Sequence, residues 1–453
     1  MGSRKNINPF ILFFIILLLW QCKEKEEDDI RMITFQGSQV QRLSDSYAHF
    51  SVLDSLSYGS LMIHDGDLVS TDEFYFSIRG DLLDTLRFKR LDSLMYINGD
   101  LAGISISKDG PPLSFFEQLS TDEISHLRTI QFVKPIWDSI KPYLEKIAHL
   151  NPTVDICYIS EIDSISLLNK DLFWLSKYFK PKVLLLGNET DSISFSSLTK
   201  FPSLESVMTS LPINGDGYFP HLPHLKDLVL GNNENSIPLG SEFFREIADL
   251  ESLTIIVEES ANIDWTSLDK LKNLRKLSIE TDSIILNDIY GHHPHLQSLH
   301  LGVYNEGVSI SDIFNKNKLK WLSLYPADEF LIWQKSKVLQ DSFPELEYLE
   351  FENKDSLLDY RNFKNIKKLK YLVIQSEVGL DSTLHNLDHL RYLSLSHDFL
   401  KDSVNVARLQ RALPNTVIAP NSGACLGSGW LLVIIPLAGL WFYFLKPKKS
   451  RNL

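Results

Sequence analysis

Leu369-Lys-Tyr-Leu-Val-Ile374 and Leu390-Arg-Tyr-Leu-Ser-Leu395 are two copies of one six-residue phrase. Moving toward the N-terminus, the same phrase returns as Leu346-Glu-Tyr-Leu-Glu-Phe351, Leu319-Lys-Trp-Leu-Ser-Leu324, Leu296-Gln-Ser-Leu-His-Leu301, Leu274-Arg-Lys-Leu-Ser-Ile279 and Leu225-Lys-Asp-Leu-Val-Leu230. Weaker copies are placed at Leu204 and Leu253, with further candidates at Leu101, Leu127, Val154 and Val183. The spacing from Val183 onward runs from 21 to 28 residues. The fourth and sixth residues of the phrase fall on one side of a strand, and the third, fifth and seventh on the other. One unit cannot bury its apolar side alone, so successive units must stack and share a core. An apolar residue three before the first leucine (Leu222, Leu271, Phe343, Ile366, Leu387) extends the same seam.

A sustained L-x-x-L-x-L pattern at this period resembles the leucine-rich-repeat family. The resemblance covers roughly 300 residues and implies a solenoid, α/β or mostly β, with a parallel sheet on its concave face. Most units lack the asparagine that many repeats of that family carry at position nine, which predicts an irregular solenoid. Pro414-Asn-Thr-Val-Ile418 reads as a closing half-unit, so the solenoid is expected over residues 99–420. Residues 22–98 do not fit the period. Glu73-Phe-Tyr-Phe-Ser-Ile78, Leu94-Met-Tyr-Ile97 and the turn signal Asn98-Gly99 predict a β-rich N-terminal cap behind a charged linker.

The two ends point to membranes. Arg4 and Lys5 precede an apolar run from Phe10 to Trp20, too short to span a bilayer and suited to an export signal over residues 1–21. Cys22 follows directly and resembles the lipidation site of bacterial lipoproteins, although Trp20 and Gln21 are bulkier than such sites usually carry. Residues 424–445 are mostly apolar, about 22 residues or ~33 Å of helix, and the basic tail 446–453 comes next. That order predicts a spanning helix with the repeat body outside, or a sorting tail removed after export. The chain carries a formal charge of −13 despite the basic tail. An acidic body argues against nucleic acid as a partner. A lone body cysteine, Cys157, excludes an internal disulfide framework and reads as a core residue.

No phosphate loop, HExxH or GxSxG element is present. The expectation is therefore no enzyme, no cofactor and no metal site. His292-His293-Pro-His295 has poor ligand spacing, and Glu258-Glu259 and Glu350/Glu352 read as solvated faces. The informative residues lie at the third position: Lys276, Ser298, then Trp321, Tyr348, Tyr371 and Tyr392 in successive units, with Tyr325 and His300 on the same face. Strands ~4.8 Å apart would stack the last four into an aromatic column on the concave face. Such a column is either a binding platform for a protein or carbohydrate at the cell surface or a ladder that stabilises the sheet. The functional expectation is an envelope-anchored recognition module, with a structural adhesion spacer as the alternative.

Overall fold

A computed structural model of the chain describes residues 30–420 apart from several internal segments. The longest of those are 188–194, 210–218, 233–241, 258–264, 282–292, 304–317 and 326–342. The expected signal segment, Cys22, the apolar stretch 424–445 and the basic tail fall outside the described residues, as does Glu258-Glu259. Among the described residues, no helix is long and apolar enough to cross a membrane.

The N-terminal part folds into β1 (Ile30–Gly37), β2 (Gln41–Arg42), β3 (His49–Leu53), β4 (Leu56–His64), β5 (Leu68–Thr71), β6 (Phe74–Ser77), β7 (Thr85–Leu91), β8 (Leu94–Ile97) and β9 (Asp100–Ile106). β4 pairs antiparallel with β3 and β1, β1 runs parallel to β7, and β7, β8 and β9 follow as an antiparallel meander. β2, β5 and β6 make a second, smaller sheet. Ile33, Phe35, Leu61, Ile63, Phe74, Phe76, Leu86, Phe88 and Met95 are buried together in this β-domain. Asn98 (φ 55°) and Gly99 (φ 101°) both take left-handed backbone, and so close the β8–β9 hairpin as their sequence predicts.

β9 also pairs in parallel with β10 (Thr129–Val133), so the β-domain's sheet continues into the solenoid. From there every strand is parallel to the last: β11 (Ile156–Ser160), β12 (Val183–Leu186), β13 (Ser206–Thr209), β14 (Asp227–Asn232), β15 (Ser252–Val257), β16 (Lys276–Thr281), β17 (Ser298–Val303), β18 (Trp321–Tyr325), β19 (Tyr348–Asn353), β20 (Tyr371–Ser376), β21 (Tyr392–Leu395) and β22 (Val417–Pro420). This is a leucine-rich-repeat solenoid. The first-position leucines 274, 296, 319, 346, 369 and 390 are buried, as are the fourth-position leucines 277, 299, 322, 349, 372 and 393, in one core along the stack. Return segments begin as α-helices, Lys141–Leu150 and Ile165–Tyr178, and later shorten to 3₁₀ turns such as Trp265–Lys270 and Tyr360–Asn365.

The register corrects two units. Leu228, Leu253 and Leu277 are partners across β14–β16, so Leu253 is a fourth-position residue and Leu250 opens that copy. Leu250-Glu-Ser-Leu-Thr-Ile255 fits the phrase in full, and Leu250 is buried. Val183 is likewise a third-position residue, opposite Ser206. Both slips arose because apolar runs offer several residues that match one leucine of the pattern. His293 sits three before Leu296, at the position of the extra apolar residue. It is buried and its Nδ1 lies 3.1 Å from the Leu271 carbonyl, which makes it part of the seam. Cys157 is buried too, and burial pushes its thiol up to about 12.

Candidate functional site

With the register fixed, the third position of the concave face reads continuously: Thr129, Ile156, Val183, Ser206, Asp227, Ser252, Lys276, Ser298, Trp321, Tyr348, Tyr371, Tyr392, Val417. The row has an apolar start, a polar middle alternating serine with charge, and an aromatic end. The β-domain lies against all three parts.

The aromatic column forms as the spacing predicts, but it does not face solvent. Trp321, Tyr348, Tyr371 and Tyr392 are 1, 2, 8 and 1% exposed. They pack with Ile30, Met62 and Met32 of the β-domain. Met32 and Met62 are partners across β1 and β4, as are Ile30 and His64, so these side chains share the face turned to the solenoid. Trp321 stacks on Tyr348 at 3.7 Å, with His64 4.6 Å and the Arg42 guanidinium 4.3 Å from its ring. An open aromatic platform is therefore ruled out in this fold: the chain's own N-terminal domain covers it. Tyr325, at the far end of β18, is half-buried.

At the opposite end, Leu68 packs with Ile156, Val183 and Leu185, and Tyr75 meets Tyr158 edge-on at 4.8 Å. Between these two footings the β-domain bridges the polar strands and leaves a cleft of about 380 Å³ over β13–β17. Arg42, Leu43 and Gly66–Leu68 line it from the β-domain, and Ser206, Asp227, Ser252, Thr254, Lys276, Ser278, Ser298 and His300 from the solenoid. Glu205, Lys226, Glu251 and Arg275 stand at the neighbouring second position. They pair across coils: Lys226 with Glu251 at 3.7 Å, Arg275 with Glu251 at 3.9 Å, and Lys182 with Glu205 at 3.7 Å.

Two aspartates meet in the cleft with opposite electrostatics. Asp67 comes from the β-domain. Its carboxylate takes Lys276 Nζ at 2.9 Å, Arg42 at 3.5 Å and the His64 backbone N–H at 2.7 Å. Burial opposes its charge, but Lys276, Arg42 and His64 outweigh burial and hold the carboxyl well below the usual range. Asp227 comes from the solenoid and is half-buried. Ser206 donates to it at 2.6 Å and Ser252 also hydrogen-bonds it. Burial dominates there and pushes its carboxyl up.

A second polar chain runs along the fifth position, joined by seventh-position Glu280 and Gln375. Glu280 lies 3.6 Å from His300 Nε2, His300 Nδ1 lies 2.9 Å from Ser323 Oγ, and Ser323 donates to Glu350 at 3.1 Å. Tyr348 donates to the same Glu350 oxygen at 2.8 Å, and Gln375 donates to the other at 3.2 Å. Burial and the Glu350 charge push the Tyr348 phenol well above its ordinary value. Glu350 is 3% exposed, so its reading as a solvated acid is corrected. Its hydrogen bonds make burial tolerable. The order acid, histidine, serine invites a hydrolase reading. Ser323 is buried, however, its hydroxyl proton is directed to Glu350, and it is not among the residues that line the cleft, so this trio presents no nucleophile there. Among the described residues, no group of three or more His, Cys, Asp or Glu side chains could hold a metal ion.

No family model matches the sequence, and no curated protein matches it. Solved structures do. The chain is similar to TLR13 in the TLR13–ssRNA13 complex, at 18% identity and a TM-score of 0.36, over 66% of this chain and 50% of that one. It thus spans about half the length of that chain. It is also similar to an internalin from Listeria monocytogenes, at 16% identity, TM-score 0.37, over 68% of this chain and 92% of that one. A Leptospira interrogans LRR protein matches at 16% identity, TM-score 0.32, over 66% and 92%.

Proposed function

We propose that this protein is an envelope-anchored recognition module whose binding site is the cleft between the β-domain and strands β13–β17. The observation that carries this reading is the division of the concave face. The β-domain seals the apolar and aromatic ends, and between them leaves a roofed cavity with charged and hydroxyl side chains on its floor. Concave, partly closed sites with a few convergent polar groups are where small molecules are held. Anchoring rests on the sequence: the apolar run before Cys22 and the apolar stretch 424–445 with its basic tail. Cys22→Ser should abolish fatty-acid labelling in a bacterial host; an unlabelled wild-type protein removes the lipid anchor.

The experiment for the site places a photo-reactive residue at Lys226, on the cleft rim, or at Phe173, an exposed convex position. Both proteins are irradiated in the native envelope. A discrete adduct at position 226 and none at 173 is expected. Identical adducts at both positions, or none at 226, overturn the cleft as the site.

The rival reading, a structural spacer, is favoured by one observation. The aromatic column, the strongest candidate surface in the sequence, is used within the chain to fasten one domain to the other.

A further inference from the structure

We propose that the cleft binds a small hydroxylated organic amine, with its ammonium group held by Asp227. The proposal rests on the cleft being the ligand site and adds the chemistry of what it takes.

Charge pairing in the cleft leads to this class. Arg42 and Lys276 are both engaged with Asp67. Lys226 and Arg275 are engaged with Glu251, and Glu205 with Lys182. Asp227 differs: its close partners among the described residues are the hydroxyls of Ser206 and Ser252, with no ion pair. Lys276 also attracts the Asp227 carboxylate but makes its ion pair with Asp67, so burial still makes the Asp227 charge costly, and a bound cation relieves that cost. Among the described residues lining the cleft, every lysine and arginine already has an acidic partner, which disfavours an anion. A hard divalent metal would ask for several carboxylate or carbonyl oxygens, and the cleft offers one carboxylate free of an ion pair. An ammonium needs one carboxylate and a few neutral acceptors.

The rest of the floor supplies those acceptors. Ser206, Ser252, Thr254, Ser278 and Ser298 place hydroxyls on neighbouring strands around Asp227 and Lys276. The serines on either side of each charge are also the smallest polar side chains that leave room above it. Hydroxyls both donate and accept, so they suit a ligand with hydroxyls of its own. A cavity of about 380 Å³ beneath Arg42, Leu43 and Gly66–Leu68 has room for a molecule the size of a monosaccharide and excludes a folded partner.

Saturation-transfer NMR on the full chain tests this with matched probes. D-Glucosamine and D-glucose differ at one position, ammonium against hydroxyl, and ethanolamine against ethylene glycol repeats the contrast at smaller size. The two amines should bind and their neutral counterparts should bind about tenfold more weakly or not at all. Asp227→Asn should remove that preference while the melting temperature stays near wild type. If that variant does not fold, Thr254→Phe, which fills the floor, should abolish both amine signals. Equal binding of glucose and glucosamine overturns the ammonium assignment and leaves the cleft intact as a site. Absence of binding by both amines overturns the proposal; a persisting photo-adduct at position 226 then shows that the site itself survives.

Discussion

Strands β13–β17 and strands β18–β21 present the same position of the same repeat to the same concave surface, and they meet opposite fates. Asp227, Ser252 and Lys276 of the serine–charge row are half-buried beside the cleft, with Ser206 and Ser298 buried at its edges, whereas the whole aromatic row is packed under β1 and β4. The backbone is alike in both, so the difference comes from what the β-domain can do with each. Aromatic rings bring about 1.5–3 kcal/mol per buried side chain when an apolar surface covers them, and Ile30, Met32 and Met62 supply that surface. Serines and half-buried charges gain little from being covered and lose hydration. A β-domain that touches the solenoid at both ends will therefore grip the aromatic strands and arch over the polar ones. A concave face in this fold is not by itself a free face.

The largest expected effect ignores the comparison, because both halves share the core behind them. Leu299 lies behind the polar row and Leu372 behind the aromatic row, and neither is exposed. Leu299→Asp and Leu372→Asp should each cost more than about 4 kcal/mol, since an unpaired charge enters a dry seam. Thermal unfolding of the full chain checks this. A melting temperature unchanged in either variant would show that the two halves do not rest on one core.

Next come substitutions that separate the halves. Trp321→Ala should cost about 3–5 kcal/mol, the range for deleting a buried aromatic. The ring contacts Tyr348, His64 and Arg42, so the loss falls on the domain junction. Ser252→Ala should cost about 1 kcal/mol or less, the value of one hydroxyl bond. Limited proteolysis beside the melting curve locates the damage: Trp321→Ala should speed cleavage between β1 and β9. Similar losses for both variants would make the contrast between the rows unimportant for stability.

Much of this was legible from residues alone. The phrase that ends in Leu390-Arg-Tyr-Leu-Ser-Leu395 fixes strand, register and core, because alternation and a shared seam leave one arrangement. The stacking of Trp321, Tyr348, Tyr371 and Tyr392 followed from the same register. Their burial did not, because a repeat pattern records which side a residue faces and is silent about what lies opposite. A trace of the answer was present in β1 and β4. Each carries apolar residues on both faces, Ile33 and Phe35 against Met32, and Leu61 and Ile63 against Met62, and strands with two apolar faces are covered on both sides. The cleft was hidden for another reason. With Leu253 taken as a first-position residue, Ser252 dropped out of the row, and the alternation Ser206, Asp227, Ser252, Lys276, Ser298 was broken at its centre.

The two aspartates of the cleft sharpen the comparison further. Asp67→Asn leaves Lys276 and Arg42 without the carboxylate that pairs them across the domain junction. A loss of about 2–4 kcal/mol at neutral pH is expected for breaking a buried pair from one side. Because the folded carboxyl is held below its unfolded value, this contribution is complete above the ordinary carboxylate range. It fades as pH falls through that range and below. The gap between wild type and Asp67→Asn should accordingly narrow in acid. A gap that does not change with pH would mean that Asp67 acts through shape and not charge.

Asp227→Asn carries the smallest effect and the opposite sign. Burial raises the folded carboxyl above its unfolded value, so the native state holds a proton that the unfolded chain has already released. Stability then falls as pH rises from the ordinary carboxylate range through the raised one. Above it, the wild type carries the full cost of an ionised group without an ion pair. An amide keeps hydrogen bonds with Ser206 and Ser252 and has no such cost. At neutral pH the variant should melt at or slightly above the wild-type temperature, and the difference should vanish in acid, where the wild type is protonated. The rise should also shrink when an amine that binds the cleft is added to the wild type, since a bound ammonium removes the penalty that the substitution removes. Melting curves of both proteins across pH, with and without glucosamine, check all three statements. Clear destabilisation at neutral pH would mean that the Asp227 charge is already compensated within the fold, and the cleft would then hold no carboxylate waiting for a cation.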